Sequence, residues 1–364
     1  MQFSKIAFLK KIDAVVGSAL VRLLPGLPCR EYVGSVESIL IIRPGGIGDA
    51  VLLLPVIDVL RRHFPTATIC VLAEKRNWAV FELCQNVDRT WCYDNWRHWR
   101  QFFLRRYDVV IDTEQWYHLS AVISRCISAR IRCGFATNIR RRAFSVPVAY
   151  SLEDYEMDNF LRLALSLGAK VASAKRSGFA CIACADERTA TQLLAPVGDR
   201  PFVVLFPGGS SDIKQWQTAA FNAVAARCRL RGYAVVIVGG GSDVASAESI
   251  AASGVSVNLA GRMTLSQTAA VLNRAVALVG GDSGVLHLAV AVGCPTVTLF
   301  GPGSTLKWAP RGSQHRVVSL GLKCSPCTLF GHIPPCPHGG RCVKDIPVEM
   351  VWKQLEDLLD CAGE

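Results

Sequence analysis

The chain has 364 residues, of which 51 % are hydrophobic and 19 % charged, and a net charge of +11. That length suits two domains rather than one, and the composition excludes a disordered or low-complexity chain. No apolar, uncharged run reaches the roughly 18 residues of a membrane-spanning helix.

Residues 1–37 form an amphipathic N-terminal extension. On a helical wheel Ile6, Leu9, Ile12, Val16, Leu20 and Leu23 share one face, and Lys10, Lys11, Ser18 and Arg22 lie opposite. A basic amphipathic helix of this type lies in a membrane interface or packs on the protein as a surface helix. A signal peptide is disfavoured, because Asp13 and Arg22 leave too short an apolar core and Pro25-Gly26 replace a cleavage site.

A first domain is expected over 38–195. Ile39–Ile42 reads as a buried strand ending in an Arg-Pro-Gly-Gly turn, followed by a helical pattern from Asp49 to Arg62. Ala67–Leu72 and Val109–Ile111 are further strands, the second ending at Asp112. Strands alternating with helices imply a parallel sheet covered on both faces. From Arg97 to Arg142 ten arginines face only Asp108, Asp112 and Glu114, a local excess of seven positive charges. Such an excess is a solvated basic face or a surface for an anionic partner.

Residues 194–201 read as a linker, and a second domain follows over 200–345. Strands are expected at Phe202–Phe206, Ala234–Val238, Val276–Val279 and Thr296–Phe300, each running into a glycine-rich turn. Helical patterns cover Thr218–Arg231, Val244–Ala252, Ser266–Asn273 and Val285–Val292, and residues 346–364 carry a C-terminal amphipathic helix over Val348–Leu359. Pro44-Gly45-Gly46-Ile47-Gly48-Asp49 is echoed 163 residues later by Pro207-Gly208-Gly209-Ser210-Ser211-Asp212. Both copies follow the opening strand of an α/β half, so the chain reads as twin domains facing a cleft.

In open parallel sheets ligands bind at the carboxyl ends of the strands. Glycines there let backbone approach a phosphate, and the following helix N-termini offer free N–H groups and a positive dipole end. A diphosphate is therefore a natural ligand. No Gly-x-Gly-x-x-Gly follows either opening strand and no Gly-x4-Gly-Lys-Ser/Thr occurs, so the usual dinucleotide and P-loop signatures are missing. Lys214 could neutralise a diphosphate, or be an exposed loop lysine. Asp282 and Ser283 could line the site, or simply cap the following helix. His287, one turn in, could face the ligand or be a satisfied core histidine. Asp49 could serve as a general base, with helix capping as the plain alternative.

Ile-Arg-Pro-Gly-Gly-Ile-Gly-Asp over 42–49, with Pro55 downstream, resembles the opening motif of glycosyltransferase family 9, the heptosyltransferases. Phe-Pro-Gly-Gly-Ser with Lys214 and Trp216 is similar to its second motif. Asn258-Leu-Ala-Gly-Arg-Met-Thr-Leu, then Val-Gly-Gly-Asp282-Ser-Gly-Val-Leu-His287-Leu-Ala and Leu-Phe-Gly-Pro302, is similar to its third. The resemblance spans about residues 38–350 in order, and the third motif is the most specific.

The resemblance implies a GT-B fold of two Rossmann-like, doubly wound parallel-sheet domains. It also implies inverting, metal-independent transfer of a heptose from an ADP-sugar to a lipopolysaccharide-core or related glycan. By motif, Asp49 resembles the general base. Lys214, Gly208 and the Ser210–Ser211 turn resemble the diphosphate site. Asp243 is similar to a ribose-binding acid and Met263 to an adenine-flanking residue. Asp282, Ser283, Gly284 and His287 resemble the donor sugar and phosphate loop. Gly46, Arg140, Arg141 and Arg142 are candidates for an anionic acceptor. In GT-B enzymes a C-terminal helix often returns to the first domain, which the Val348–Leu359 helix could do. The implied setting is cytoplasmic, on the inner face of a bacterial inner membrane. Asp243 is shorter than the glutamate often found at its position, and the first 37 residues are additional to the pattern.

Cys324-x2-Cys327-x8-Cys336-x5-Cys342 has a spacing that could hold a structural zinc, with packed thiols or disulfides as alternatives. Catalysis itself would need no cofactor. A nucleotide-sugar epimerase or hydrolase of the same fold, or a family member using another nucleotide sugar, is the nearest rival. A nucleic-acid binder is disfavoured because no recognition motif or stacking platform accompanies the arginines.

Overall fold

The computed structural model describes residues 10, 12–30, 34–172, 174–209, 211–252, 254 and 257–361. Ile6 and Leu9 of the N-terminal stripe, and Ser210 of the second glycine turn, lie outside the described residues. The chain divides into two compact units, Met1–Ala174 and Lys175–Glu364.

The first unit holds one parallel sheet of six strands: β1 (Ser38–Arg43), β2 (Thr68–Ala73), β3 (Arg89–Cys92), β4 (Arg106–Asp112), β5 (Ser128–Phe135) and β6 (Val146–Val148). Their spatial order is β3-β2-β1-β4-β5-β6. The second unit holds β7 (Phe202–Phe206), β8 (Ala234–Ile237), β9 (Val257–Asn258), β10 (Ala277–Gly281), β11 (Thr296–Leu299) and β12 (His315–Val318), in the order β12-β11-β10-β7-β8-β9. Read from its other edge, the second order repeats the first: β7 takes the place of β1 and β10 that of β4. Central strands such as β1 (Ser-Ile-Leu-Ile-Ile-Arg) and β7 (Phe-Val-Val-Leu-Phe) are apolar at successive positions because helices cover both of their faces. This is the doubly wound, two-sheet architecture expected. The strands that went unread were β3, β5, β6, β9 and β12. They are two to eight residues long, and β3 and β5 interleave arginine with apolar residues.

Two expected boundaries shift. The division between units falls at 174/175 rather than at 194–201. The Cys184–Leu193 helix packs on the Leu265–Asn273 helix of the second unit, and Glu187 accepts from Arg274 at 3.0 Å. The turn at 194–201 is thus a connection inside that unit. The C-terminal helix, Val348–Cys361, buries Val351, Leu355, Leu358 and Leu359 in the second unit's own core against Val279, Val297 and Val318. It is a cover for its own sheet.

The N-terminal helix, a π-helical turn over Asp13–Gly17 running into Ser18–Leu23, packs on the first unit, but not through its apolar stripe. Asp13, Gly17, Ser18 and Val21 face inward, while Val16, Leu20 and Leu23 face out. Asp13 accepts from the backbone N–H groups of His118 at 2.8 Å and Leu119 at 2.7 Å, capping the Leu119–Cys126 helix. Val21 joins Ala121, Ala143 and Phe144 in a small cluster.

Arg140 is fully buried, its guanidinium 2.6 Å from Asp112 Oδ2 at the end of β4 and 3.2 Å from Ser120 Oγ. Burial raises the Asp112 carboxyl, and Arg140 opposes the shift. Replacing Arg140 by Met strands that carboxylate in the core. The expected loss is about 3–5 kcal/mol, read from urea unfolding at neutral pH, and a loss below about 1 kcal/mol would show that the pair adds nothing.

Candidate functional site

In each sheet the chain leaves the middle in both directions, so neighbouring strands carry their following loops apart and open a crevice at their carboxyl ends. In the second unit that switch point lies between β7 and β10. The turn after β7 brings Lys214, on a short 3-10 turn over Asp212–Lys214, against Asp282 at the end of β10. Lys214 Nζ stands 2.8 Å from Asp282 Oδ2, and both side chains are largely shielded from water. Lys214 is therefore no loose surface lysine.

Glycine is required by the closeness of these loops. A Cβ at Gly281 would lie 2.9 Å from the Lys214 carbonyl oxygen, and one at Gly303 would overlap the Asp282 carboxylate. A Cβ at Gly208 would lie 2.5 Å from the Asp243 carboxylate.

Ser283 stands at the N-cap of the Gly284–Ala291 helix with extended backbone, yet its side chain makes no capping bond. Its Oγ is buried and finds no hydrogen-bond partner among the described residues; neither does Nδ1 of the buried His287 one turn on. A satisfied cap and a satisfied core histidine are thereby both set aside. An unsatisfied buried polar group costs about 1–3 kcal/mol, and these two lie one turn apart at the start of one helix. Burial pushes the His287 imidazole down to about 4; Lys214 adds to the shift and Asp282 opposes it.

Asp243 is also brought to this edge, but it is buried and looks inward. Its Oδ2 accepts from Gly240 N at 2.8 Å, and its carboxyl packs against Gly208 and Gly239, bracing the turns of β7 and β8. Met263 is half-buried just before the Leu265–Asn273 helix. The loop bearing it is tied to the β8 turn by Gly261 N donating to Gly239 O at 2.9 Å.

The four cysteines of the C-terminal cluster fold back onto the same edge. Cys327 N donates to Pro302 O at 3.0 Å, and Gly340 packs so closely on Ile213, next to Lys214, that a Cβ would lie 2.9 Å from the Ile213 Cα. None of the four is joined in a disulfide. Burial raises Cys327 and Cys342, and the neighbouring cysteines raise them further, whereas backbone N–H groups of Gly340, His338 and Gly339 lower Cys336. Among the described residues no three cysteine, histidine or acidic side chains are gathered closely enough to hold a metal ion. Only Cys342 is buried, Cys327 and Cys336 are half-buried and Cys324 is exposed, and the zinc and disulfide expectations find no support in this arrangement.

The switch point of the first unit lies between β1 and β4. Arg43 ends β1 and is buried; its guanidinium lies 3.9 Å from Asp49 and 3.6 Å from Glu114, and donates to Thr113 O at 3.0 Å. Gly45, at φ +101°, leaves room for that guanidinium. Asn77, also buried, donates to the carbonyls of Arg43 and Gly45, which fixes the turn. Gln115 Nε2 donates to Asp49 Oδ1 at 3.3 Å and to Glu156 Oε1 at 2.7 Å. Glu114 accepts from three successive backbone N–H groups, of Gln115, Trp116 and Tyr117. Asp49 keeps 19 % of its side chain exposed, more than Arg43 or Glu114. It is a carboxylate held in orientation with a side open to solvent, and the N-cap of its helix is Gly46 rather than Asp49. Sequence reading missed Arg43, Gln115 and Glu156. The polar run Asp112-Thr-Glu-Gln straight after an apolar strand was the available signal.

The basic stretch is partly consumed by structure. Arg140 is removed from the acceptor candidates by its burial, Arg130 pairs with Asp108 at 3.1 Å, and Arg132 donates to the carbonyls of Ser124, Ile127 and Ala129. Arg141 and Arg142 are exposed.

Residues 95–332 match the family model described as glycosyltransferase family 9 (heptosyltransferase). Among curated proteins, the chain is 26 % identical over 285 residues to lipopolysaccharide heptosyltransferase 3 of Escherichia coli, covering 72 % of this chain and 83 % of that one. It is 26 % identical over 316 residues to lipopolysaccharide heptosyltransferase 1 of Pseudomonas aeruginosa, covering 79 % and 85 %. Among solved structures, ADP-heptose lps heptosyltransferase II of E. coli superposes with a TM-score of 0.74 at 20 % identity, covering 90 % of this chain and 100 % of that one.

His287 gives a pH signature. Its folded value of about 4 lies below the ordinary 6.5, so between those values the unfolded chain binds more protons and stability rises with pH. From pH 6.5 to 5 the group should remove about 2 kcal/mol. A His287→Gln variant should lose correspondingly less than wild type over that interval in urea unfolding; identical slopes would contradict the assignment.

Proposed function

The chain belongs to glycosyltransferase family 9, and from that premise we propose that it transfers a heptose-type sugar from ADP-heptose, with inversion, to an anionic lipopolysaccharide-core acceptor. The observation that carries the donor half is the pair of stranded polar atoms, Ser283 Oγ and His287 Nδ1, beside the Lys214–Asp282 ion pair. The diphosphate is assigned to Lys214, Ser211, Gly208 and the free amides of the Gly284–Ala291 helix. Lys214 already stands in a shielded site, where its charge acts more strongly on a departing phosphate than it would in water. The loop of Met263 follows β9 and adjoins the β8 turn, which suits an adenine and ribose lying across those two turns. Asp243 serves there by holding the turns in place.

In the transfer step the acceptor oxygen attacks the anomeric carbon while the bond from that carbon to the diphosphate oxygen breaks. The acceptor proton passes to Asp49, and the electron pair leaves with ADP. Arg43 and Gln115 hold the Asp49 carboxylate in place. Positive charge on the leaving group comes from Lys214 and backbone amides, so no metal enters the step. Arg141 and Arg142 are assigned to the phosphates or carboxylates of the acceptor. The setting that fits such an acceptor is the cytoplasmic face of a bacterial inner membrane.

Asp49→Asn tests the base. Turnover should fall by roughly 100-fold or more, the usual worth of a positioned general base, while ADP binding stays unchanged. Unaltered turnover, or sugar release from donor alone as fast as transfer, would overturn the reading. Gln115→Leu frees one Asp49 oxygen and should lower kcat with little change in donor KM, measured on the same substrates.

A further inference from the structure

The N-terminal helix is inside out for a surface helix. Between residues 13 and 23 its inward positions are Asp13, Gly17, Ser18 and Val21, and its exposed residues are apolar except Arg22. Val15 is 72 % exposed, Val16 47 %, Leu20 39 % and Leu23 81 %. Val16, Leu20 and Leu23 stand at i, i+4 and i+7, one stripe along the outer face.

This orientation is fixed by specific contacts. The Asp13 carboxylate takes N–H groups from His118 and Leu119 and lies 3.2 Å from the His118 ring. A Cβ at Gly17 would lie 3.0 Å from the His118 Cβ, so the helix comes close to the Leu119–Cys126 helix only along its glycine side. Turning the helix to bury Leu20 and Leu23 would strip the cap from that helix and leave Asp13 without its partners. The exposed stripe is therefore built in.

The surroundings are basic. The helix packs against the Ile139–Ala143 turn, where Arg141 and Arg142 are exposed, and Arg142 donates to Leu24 O at 3.1 Å. Arg125 reaches Pro25 O at 3.4 Å, and Arg22 is bonded back to Ser18 at 2.7 Å. Asp13, the one acidic residue between 12 and 30, is buried. An apolar stripe rimmed by arginines, with no exposed acid among the described residues 12–30, matches the boundary between acyl chains and anionic headgroups.

We propose that the outer face of the 13–23 helix is a docking surface for an anionic lipid bilayer, with Val16, Leu20 and Leu23 entering the interface and Arg22, Arg141 and Arg142 meeting the headgroups. The inference shares Arg141 and Arg142 with the proposed acceptor contact, but the apolar stripe that carries it takes no part in the transfer step.

The test uses the full chain sedimented with vesicles of phosphatidylglycerol and phosphatidylcholine, and with phosphatidylcholine alone. Wild type should partition onto the mixed vesicles, and high salt should weaken the binding. The double variant Leu20→Gln/Leu23→Gln changes exposed side chains and should keep the wild-type melting temperature. Its partition should fall roughly tenfold or more, because the apolar stripe would be lost. Transfer to a water-soluble acceptor fragment should not change. Equal sedimentation of variant and wild type, no binding by wild type, or a stripe-dependent dimer that ignores vesicles would each overturn the proposal. Loss of transfer with vesicle binding intact would count only against the proposed function.

Discussion

The second unit depends on how closely three chain segments approach at the carboxyl edge of its sheet. The turn after β7, the end of β10 and the turn after β11 meet there with no room for side chains at Gly281 and Gly303. That approach sets Lys214 against Asp282, next to the N-terminus of the Gly284–Ala291 helix. Packing that tight is normally accompanied by complete hydrogen bonding. Here Ser283 Oγ and His287 Nδ1 are left unsatisfied among the described residues, at a cost of about 1–3 kcal/mol each.

The first sheet repeats the topology with different chemistry. Its switch point gathers Arg43, Asp49, Glu114, Gln115 and Glu156, so a buried cation is surrounded by carboxylates, in contrast to the lysine-centred edge of the second sheet. Tyr150 donates to Glu156 at 2.9 Å, and burial together with that neighbouring carboxylate pushes its phenol up, so it stays a donor at any working pH. The network holds Asp49 from both sides and leaves it partly open. The two edges thus differ: a lysine–aspartate pair in the second sheet, and carboxylates around a buried arginine in the first.

The central strands and both glycine turns were legible because fully buried parallel strands are written as unbroken apolar runs such as Ile39–Ile42 and Val276–Val279. Short strands escaped: β9 has two residues, and β3 mixes Arg89 with Trp91. Lys214, Asp282, Ser283 and His287 were found as separate motif residues, and their convergence follows from strand order, which no local pattern encodes. Arg140 was misread because charge alone does not tell a surface arginine from one buried on Asp112, 28 positions earlier in the chain. The N-terminal stripe was read correctly as a pattern. Which side faces the protein was set by a carboxylate at Asp13 bonding residues 105 positions away, beyond the reach of a helical wheel.

The proposed function places a nucleoside diphosphate at the Lys214–Asp282 edge. The most direct measurement is calorimetric titration of ADP into wild type and a Lys214→Met variant, with UDP and GDP as comparisons. The account predicts that wild type prefers ADP and that the variant binds it at least tenfold more weakly, roughly 1.4 kcal/mol or more. ADP affinity that is unchanged by the loss of Lys214 would contradict it.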